Sequence, residues 1–173
     1  GSFCYTSNFK ERNIYRSTRS HNALWIEGIE QNVFSELRND DMFWLDTDKS
    51  KPEIIINEAN RLSGTIEYGG KPYTRDIELN SDEIVITDNY NSKLEKYINL
   101  YLYPDINIEH VENNVYKLWN EKKMVYLDAE SSELIIDKYD FSPSYGVKLR
   151  STRIVLSSKN NIVKHKFRVS IES

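Results

Sequence analysis

Val163-Lys164-His165-Lys166-Phe167-Arg168-Val169-Ser170-Ile171 is the stretch on which the fold is read. Val163, His165, Phe167, Val169 and Ile171 share one face of an extended chain; Lys164, Lys166, Arg168 and Ser170 share the other. Successive side chains of a strand point to opposite faces, so this pattern predicts an antiparallel strand with one buried and one wet side. His165 falls on the apolar side, which reads as a satisfied core histidine.

The same period of two recurs upstream. Strands are expected at 24–28, 42–46, 53–58, 61–68, 72–79, 83–89, 97–103, 106–111, 115–119, 123–128, 133–139 and 146–157. Gly69-Gly70 suits a two-residue hairpin turn between two of them. In 97–103, Ile98, Leu100 and Leu102 alternate with Tyr97, Tyr101 and Tyr103, and Pro104-Asp105 breaks the run. Helical periodicity is credible only in short pieces such as 31–37. Short strands at this spacing, with turn signals between them, predict a single-domain, all-β, antiparallel β-sandwich of roughly a dozen strands, with a large barrel as the alternative.

Composition agrees. Tyrosine is heavily used, with 12 residues among 173, which leans towards strands. The net charge of −4 argues against nucleic-acid binding driven by overall charge. No apolar run approaches the roughly 18 residues that would cross a bilayer, so no membrane partner is expected. Cys4 is the single cysteine and permits no internal disulfide; it reads as a passive packing residue. The chain opens Gly1-Ser2 without a methionine, as an expression scar or the interior of a longer protein would.

The densest chemistry lies at Phe3–Gln31, where Arg12, Arg16, Arg19, His21, Asn22 and Trp25 crowd together. Arginine recognises carboxylates and sulfates through two parallel hydrogen bonds, so local basic density in an acidic chain can bind an acidic ligand. A basic loop paired with Glu11 and Glu27 is the alternative. His110 alternates in phase with Ile106 and Ile108 and reads as a core residue at a wetter strand end, whereas His21 sits in no strand pattern. Trp25 can stack a sugar or pack a sheet. Three histidines and one cysteine, far apart and without paired ligand spacing, speak against a metal site assembled within this chain. No nucleophile motif or phosphate-cradling glycine loop is present.

Gly1, Tyr5, Arg12, Arg16-Ser17-Thr18, His21-Asn22, Glu27-Gly28 and Gln31 together resemble the C-terminal segment of heparinase II/III-like polysaccharide lyases. Gly64, Tyr68, Arg75, Asp88 and Ser144-Tyr145-Gly146-Val147-Lys148 extend that resemblance over nearly the whole chain. Ala23 stands where the family usually has Thr, and Glu27 where it has Asp. The resemblance implies a supersandwich-like C-terminal domain of a bacterial, periplasmic or extracellular enzyme that cleaves acidic, uronic-acid polysaccharides (heparin-, alginate- or capsule-like) by β-elimination. The partner it implies is an N-terminal helical toroid, absent from this chain, which supplies the eliminating residues; the fragment alone is then inactive and monomeric. Arg12, Arg16, Arg19, Asn22 and Trp25 become candidate substrate-binding residues, with no catalytic residue in the fragment. His21 becomes one ligand of an incomplete zinc site, with zinc in the full-length protein and none in the fragment. The alternative is a non-catalytic carbohydrate-binding or domain-docking module.

Overall fold

A computed structural model describes residues 3–4, 8–33, 48–130 and 132–169. Among these residues, twelve strands form two antiparallel sheets. The smaller carries β1 (Leu24–Trp25), β6 (Lys96–Tyr101), β11 (Leu149–Ser158) and β10 (Glu133–Phe141) in the order β1-β6-β11-β10. The larger contains β2 (Glu53–Asn57), β3 (Arg61–Tyr68), β4 (Lys71–Leu79), β5 (Glu83–Tyr90), β7 (Asn107–Glu112), β8 (Val115–Trp119), β9 (Met124–Asp128) and β12 (Ile162–Arg168). Its order is β2-β3-β4-β5-β12-β9-β8-β7. The architecture is a sandwich and not a barrel. No helix among the described residues is long and apolar enough to cross a membrane.

The alternation read from β12 holds where the second sheet covers it. Val163 and His165 are buried, and Lys164 and Lys166 on the other face are half-buried beside Glu130. Leu24, Ile98, Leu100, Ile154 and Leu156 from the small sheet meet Tyr68, Tyr73, Tyr90, Leu118, Leu127 and Val163 from the large one. Fully burying a large apolar side chain contributes about 1.5–3 kcal/mol, so this layer dominates the fold's stability. Four strands cannot cover eight. Ile54, Leu62, Leu79 and Ile84 follow the same alternation yet stay exposed. Both edges of the large sheet, β2 and β7, carry a register shift, which discourages further strand pairing.

Gly69 and Gly70 make the expected tight turn, both at positive φ (56° and 76°). A Cβ at Gly69 would also lie 2.9 Å from Ile29 Cγ2, so the turn is packed against the 26–29 loop. Expected boundaries shift in places: β1 is only two residues long, and the strand expected from 146 begins at Leu149. The strand expected at 42–46, Trp44 within it, and residues 34–37 of the expected helix lie outside the described residues; 31–33 are not helical.

One helix was not expected. α1 spans Phe9–Arg16. Asn8 caps it: its side-chain oxygen accepts from the Glu11 amide at 3.1 Å. Glu11 in the first turn and Arg16 in the last complement the helix dipole. The Asn-x-x-Glu spacing was the available signal, hidden by a weak apolar stripe in FKERNIYR.

Candidate functional site

β6 builds the floor of the site. Its even residues Ile98 and Leu100 enter the core, so Tyr97, Asn99 and Tyr101 project from the outer face, over which the N-terminal stretch runs. Trp25 stacks on Tyr97 with ring centroids 4.5 Å apart. Asn99 is wholly enclosed, and its Nδ2 donates to the Arg19 carbonyl at 2.5 Å. The Tyr101 hydroxyl donates to that same carbonyl.

A single turn of 3-10 helix, Thr18–Ser20, follows α1 and begins the loop. Ser17 and Thr18 fasten this turn to its surroundings. Ser17 Oγ donates to the Ile14 carbonyl at 2.7 Å. Thr18 gives both its amide and its hydroxyl to Glu30, at 2.8 and 2.7 Å, and accepts from the Gln31 amide at 3.1 Å. Asn22 is gripped twice. Its side-chain oxygen accepts from the Tyr101 amide at 3.1 Å, and its carbonyl accepts from Arg75 Nη1 at 2.5 Å.

The loop borders a cleft of about 850 Å³ between α1 and the outer face of the small sheet. Arg19, His21 and Asn22 line it together with the rings of Tyr101, Tyr103, Tyr139 and Phe141. The rings interlock edge to face, Tyr101 on Tyr139 at 4.7 Å and Tyr103 on Phe141 at 5.1 Å. The Tyr139 hydroxyl donates to the Leu102 carbonyl at 2.7 Å. Tyr15 closes one end, its hydroxyl donating to the Asp140 carbonyl at 3.3 Å; burial pushes its phenol up, so it is neutral near pH 7. Lys148 and Arg153 line the cleft already paired, with Glu11 and Asp137 respectively. The Arg153 guanidinium holds the Asp137 carboxyl below its usual range. A second hollow of about 950 Å³ lies beyond Arg19, lined by Lys10, Trp25, Glu27 and Glu30 among others.

The residues singled out in the sequence therefore separate. Arg19 and Asn22 line the cleft together with His21, and Arg19 also reaches the second hollow with Trp25. Trp25 is half-buried rather than an open platform. Arg12 is only 2 % exposed, its guanidinium bonded to Asn13 Oδ1 at 2.9 and 3.2 Å. Burial and the neighbouring Arg16 both disfavour its charge. Arg16 is half-buried on α1 and lines neither cavity. The aromatic lining was missed as a site, although the alternation of 97–103 set Tyr101 and Tyr103 on the face opposite Ile98 and Leu100.

The other histidines are elsewhere. His165 is buried as expected, but neither ring nitrogen has a hydrogen-bond partner, so it is not a satisfied one. Desolvation lowers its pKa to about 4. His110 is exposed, because it sits on edge strand β7 beside a turn, and Nε2 contacts the Asn113 carbonyl at 2.7 Å. Cys4 is buried, its thiol donating to the Asn8 carbonyl at 3.3 Å. Among the described residues no three His, Cys, Asp or Glu side chains gather to hold a metal ion. His21 is a lone exposed donor, so zinc does not fit the described residues by themselves.

The cleft thus brings the Arg19 cation, an imidazole and an amide together with five aromatic rings, Tyr15 among them. The heparinase II/III-like, C-terminal family model matches residues 1–171. No curated protein matches the sequence. Among solved structures, heparan sulfate lyase HepC from Pedobacter heparinus superimposes with a TM-score of 0.67 at 16 % identity, covering 100 % of this chain and 28 % of that one. A heparinase III gene product with methylated lysines gives a TM-score of 0.69 at 16 % identity, covering 100 % of this chain and 27 % of that one. At that identity the superpositions establish the shared fold, and the chain spans a little over a quarter of those lyases' length. With its sandwich and its His21-Asn22 block matched by one continuous model, the chain belongs to the heparinase II/III-like C-terminal family.

Proposed function

We propose that this chain is the C-terminal sandwich of a lyase that cleaves uronic-acid polysaccharides by β-elimination. Its cleft forms one wall of the sugar site. The observation that carries the reading is the gathering of Arg19, His21 and Asn22 in a cleft that aromatic rings also line. Elimination requires the uronate carboxylate to be neutralised, the C5 proton to be removed and the leaving oxygen to be protonated. Arg19 suits the first task, and the rings suit sugar faces. The groups that move protons come from the helical domain the family resemblance implies, so the 173 residues alone are silent. Within the same reading His21 gives one ligand to a zinc ion whose other ligands lie outside the described residues. Heparin-, alginate- and capsule-like glycans are the substrate candidates.

The test is to incubate this chain, and a longer protein joining it to a family helical domain, with such polysaccharides while following the ultraviolet absorbance of unsaturated uronate. Product from the longer protein alone supports the reading. Sustained turnover by the isolated chain contradicts it.

A further inference from the structure

We infer that Arg75 is a positioning residue that fixes the Arg19–Asn22 loop from inside the sandwich. Arg75 stands opposite Asp88 across β4 and β5. Nε and Nη2 grip the two Asp88 oxygens at 2.7 and 2.9 Å, and Asp88 is wholly enclosed. The Tyr73 hydroxyl donates to the same carboxylate, fixing it from a third side. That leaves Nη1, which points away from Asp88 and meets the Asn22 carbonyl at 2.5 Å. From the other sheet, Asn99 and Tyr101 take the Arg19 carbonyl, and the Tyr101 amide takes the Asn22 side chain. The two sheets thus pin the loop at both ends, and His21 lies between the pins.

A guanidinium spreads its N–H groups over three nitrogens, so two can meet the two carboxylate oxygens side by side while the third reaches a carbonyl in another direction. Lysine at this position keeps the charge that Asp88 needs but donates from a single nitrogen, which does not span the three acceptors that Nε, Nη1 and Nη2 reach. The role assigned to Arg75 rests on reading the cleft as a sugar site; the mechanical tie between Arg75 and the loop does not.

The experiment uses Arg75→Lys, with Arg75→Gln/Asp88→Asn as a second variant that removes both charges together. The first readout is amide hydrogen exchange in this chain. The His21 amide, bonded to the Thr18 carbonyl at 3.2 Å, and the Tyr101 amide report on the loop. Losing a charged hydrogen bond is expected to speed both by about tenfold, while amides of the β5–β12 ladder keep their protection. Unchanged loop exchange in whichever variant stays folded overturns the inference. The second readout is turnover by the longer protein. Arg75→Lys is expected to lower kcat about tenfold with KM within about twofold, since a displaced loop misplaces groups without removing them. A normal kcat with Arg19→Ala impaired overturns the positioning role and leaves the sugar site standing. No turnover by the unaltered longer protein refutes the sugar site instead, and hydrogen exchange then still decides the tie.

Discussion

Arg75 and Asp88 face each other in register across β4 and β5, joined by contacts of 2.7 and 2.9 Å, with the aspartate wholly enclosed. A buried pair of this kind gives little net stability, but breaking it from one side strands a charge. Asp88→Asn is expected to destabilise the chain by about 3–5 kcal/mol in chemical denaturation. Replacing both residues with leucine is expected to cost less than the single change. A smaller loss from Asp88→Asn than from the double change contradicts this account of the pair.

His165 predicts a pH dependence. Burial holds its folded pKa at about 4, below the unfolded value near 6.5. The unfolded chain therefore binds the extra proton between those values, and stability rises with pH across that window. Stability from this group is complete above about pH 6.5 and is lost as pH falls towards 4, amounting to about 3 kcal/mol. Denaturation at a series of pH values checks it. His165→Phe is expected to flatten the curve between pH 6.5 and 4; an unchanged curve counts against the buried neutral imidazole.

Tyr68 ties the large sheet to the loop beyond β1. Its hydroxyl donates to the Ile29 carbonyl at 2.8 Å and accepts from the Ile26 amide at 3.1 Å. Burial pushes the phenol up to about 12, so it stays protonated and able to donate. Tyr68→Phe leaves both backbone groups unpaired and is expected to cost about 1–3 kcal/mol. Thermal unfolding measures this, and a loss no larger than that of an exposed tyrosine contradicts it.

Lys96 is fully enclosed without a carboxylate in its hydrogen bonds. Its ammonium donates to the carbonyls of Ser92, Leu94 and Lys159 at 2.6, 2.9 and 3.3 Å, joining the loop before β6 to the turn after β11. Lys96→Met keeps the volume and removes the donors. A loss of about 2–4 kcal/mol is expected, from carbonyls left unpaired. A neutral change in denaturation midpoint contradicts this.

The fold was legible because period two is strong wherever one sheet face is covered, as at Val163 and His165. It misled where eight strands outrun four: Ile54 and Leu79 keep the pattern and stay wet. α1 went unread because Asn8 and Glu11 signal a helix start locally, while Phe9–Arg16 lacks a broad apolar face. The site was half legible. Arg19, His21 and Asn22 were visible as a cluster in the sequence, but they meet Tyr101, Tyr139 and Phe141 only through the long-range pairing of β6, β11 and β10. Arg12 looked like its neighbours in sequence and differs in space, because α1 turns it inward.

Arg19 lines the cleft proposed to hold an acidic sugar. The most direct measurement is kcat/KM of the longer protein on a uronic-acid polysaccharide, with and without Arg19→Ala. The Arg19 carbonyl, not its side chain, anchors the loop to Asn99 and Tyr101, so stability should change by less than about 0.5 kcal/mol. A fall of at least about tenfold in kcat/KM is expected, carried mainly by kcat, because the carboxylate that Arg19 neutralises gains charge as the C5 proton leaves. An unchanged kcat/KM in a folded, active protein would contradict it.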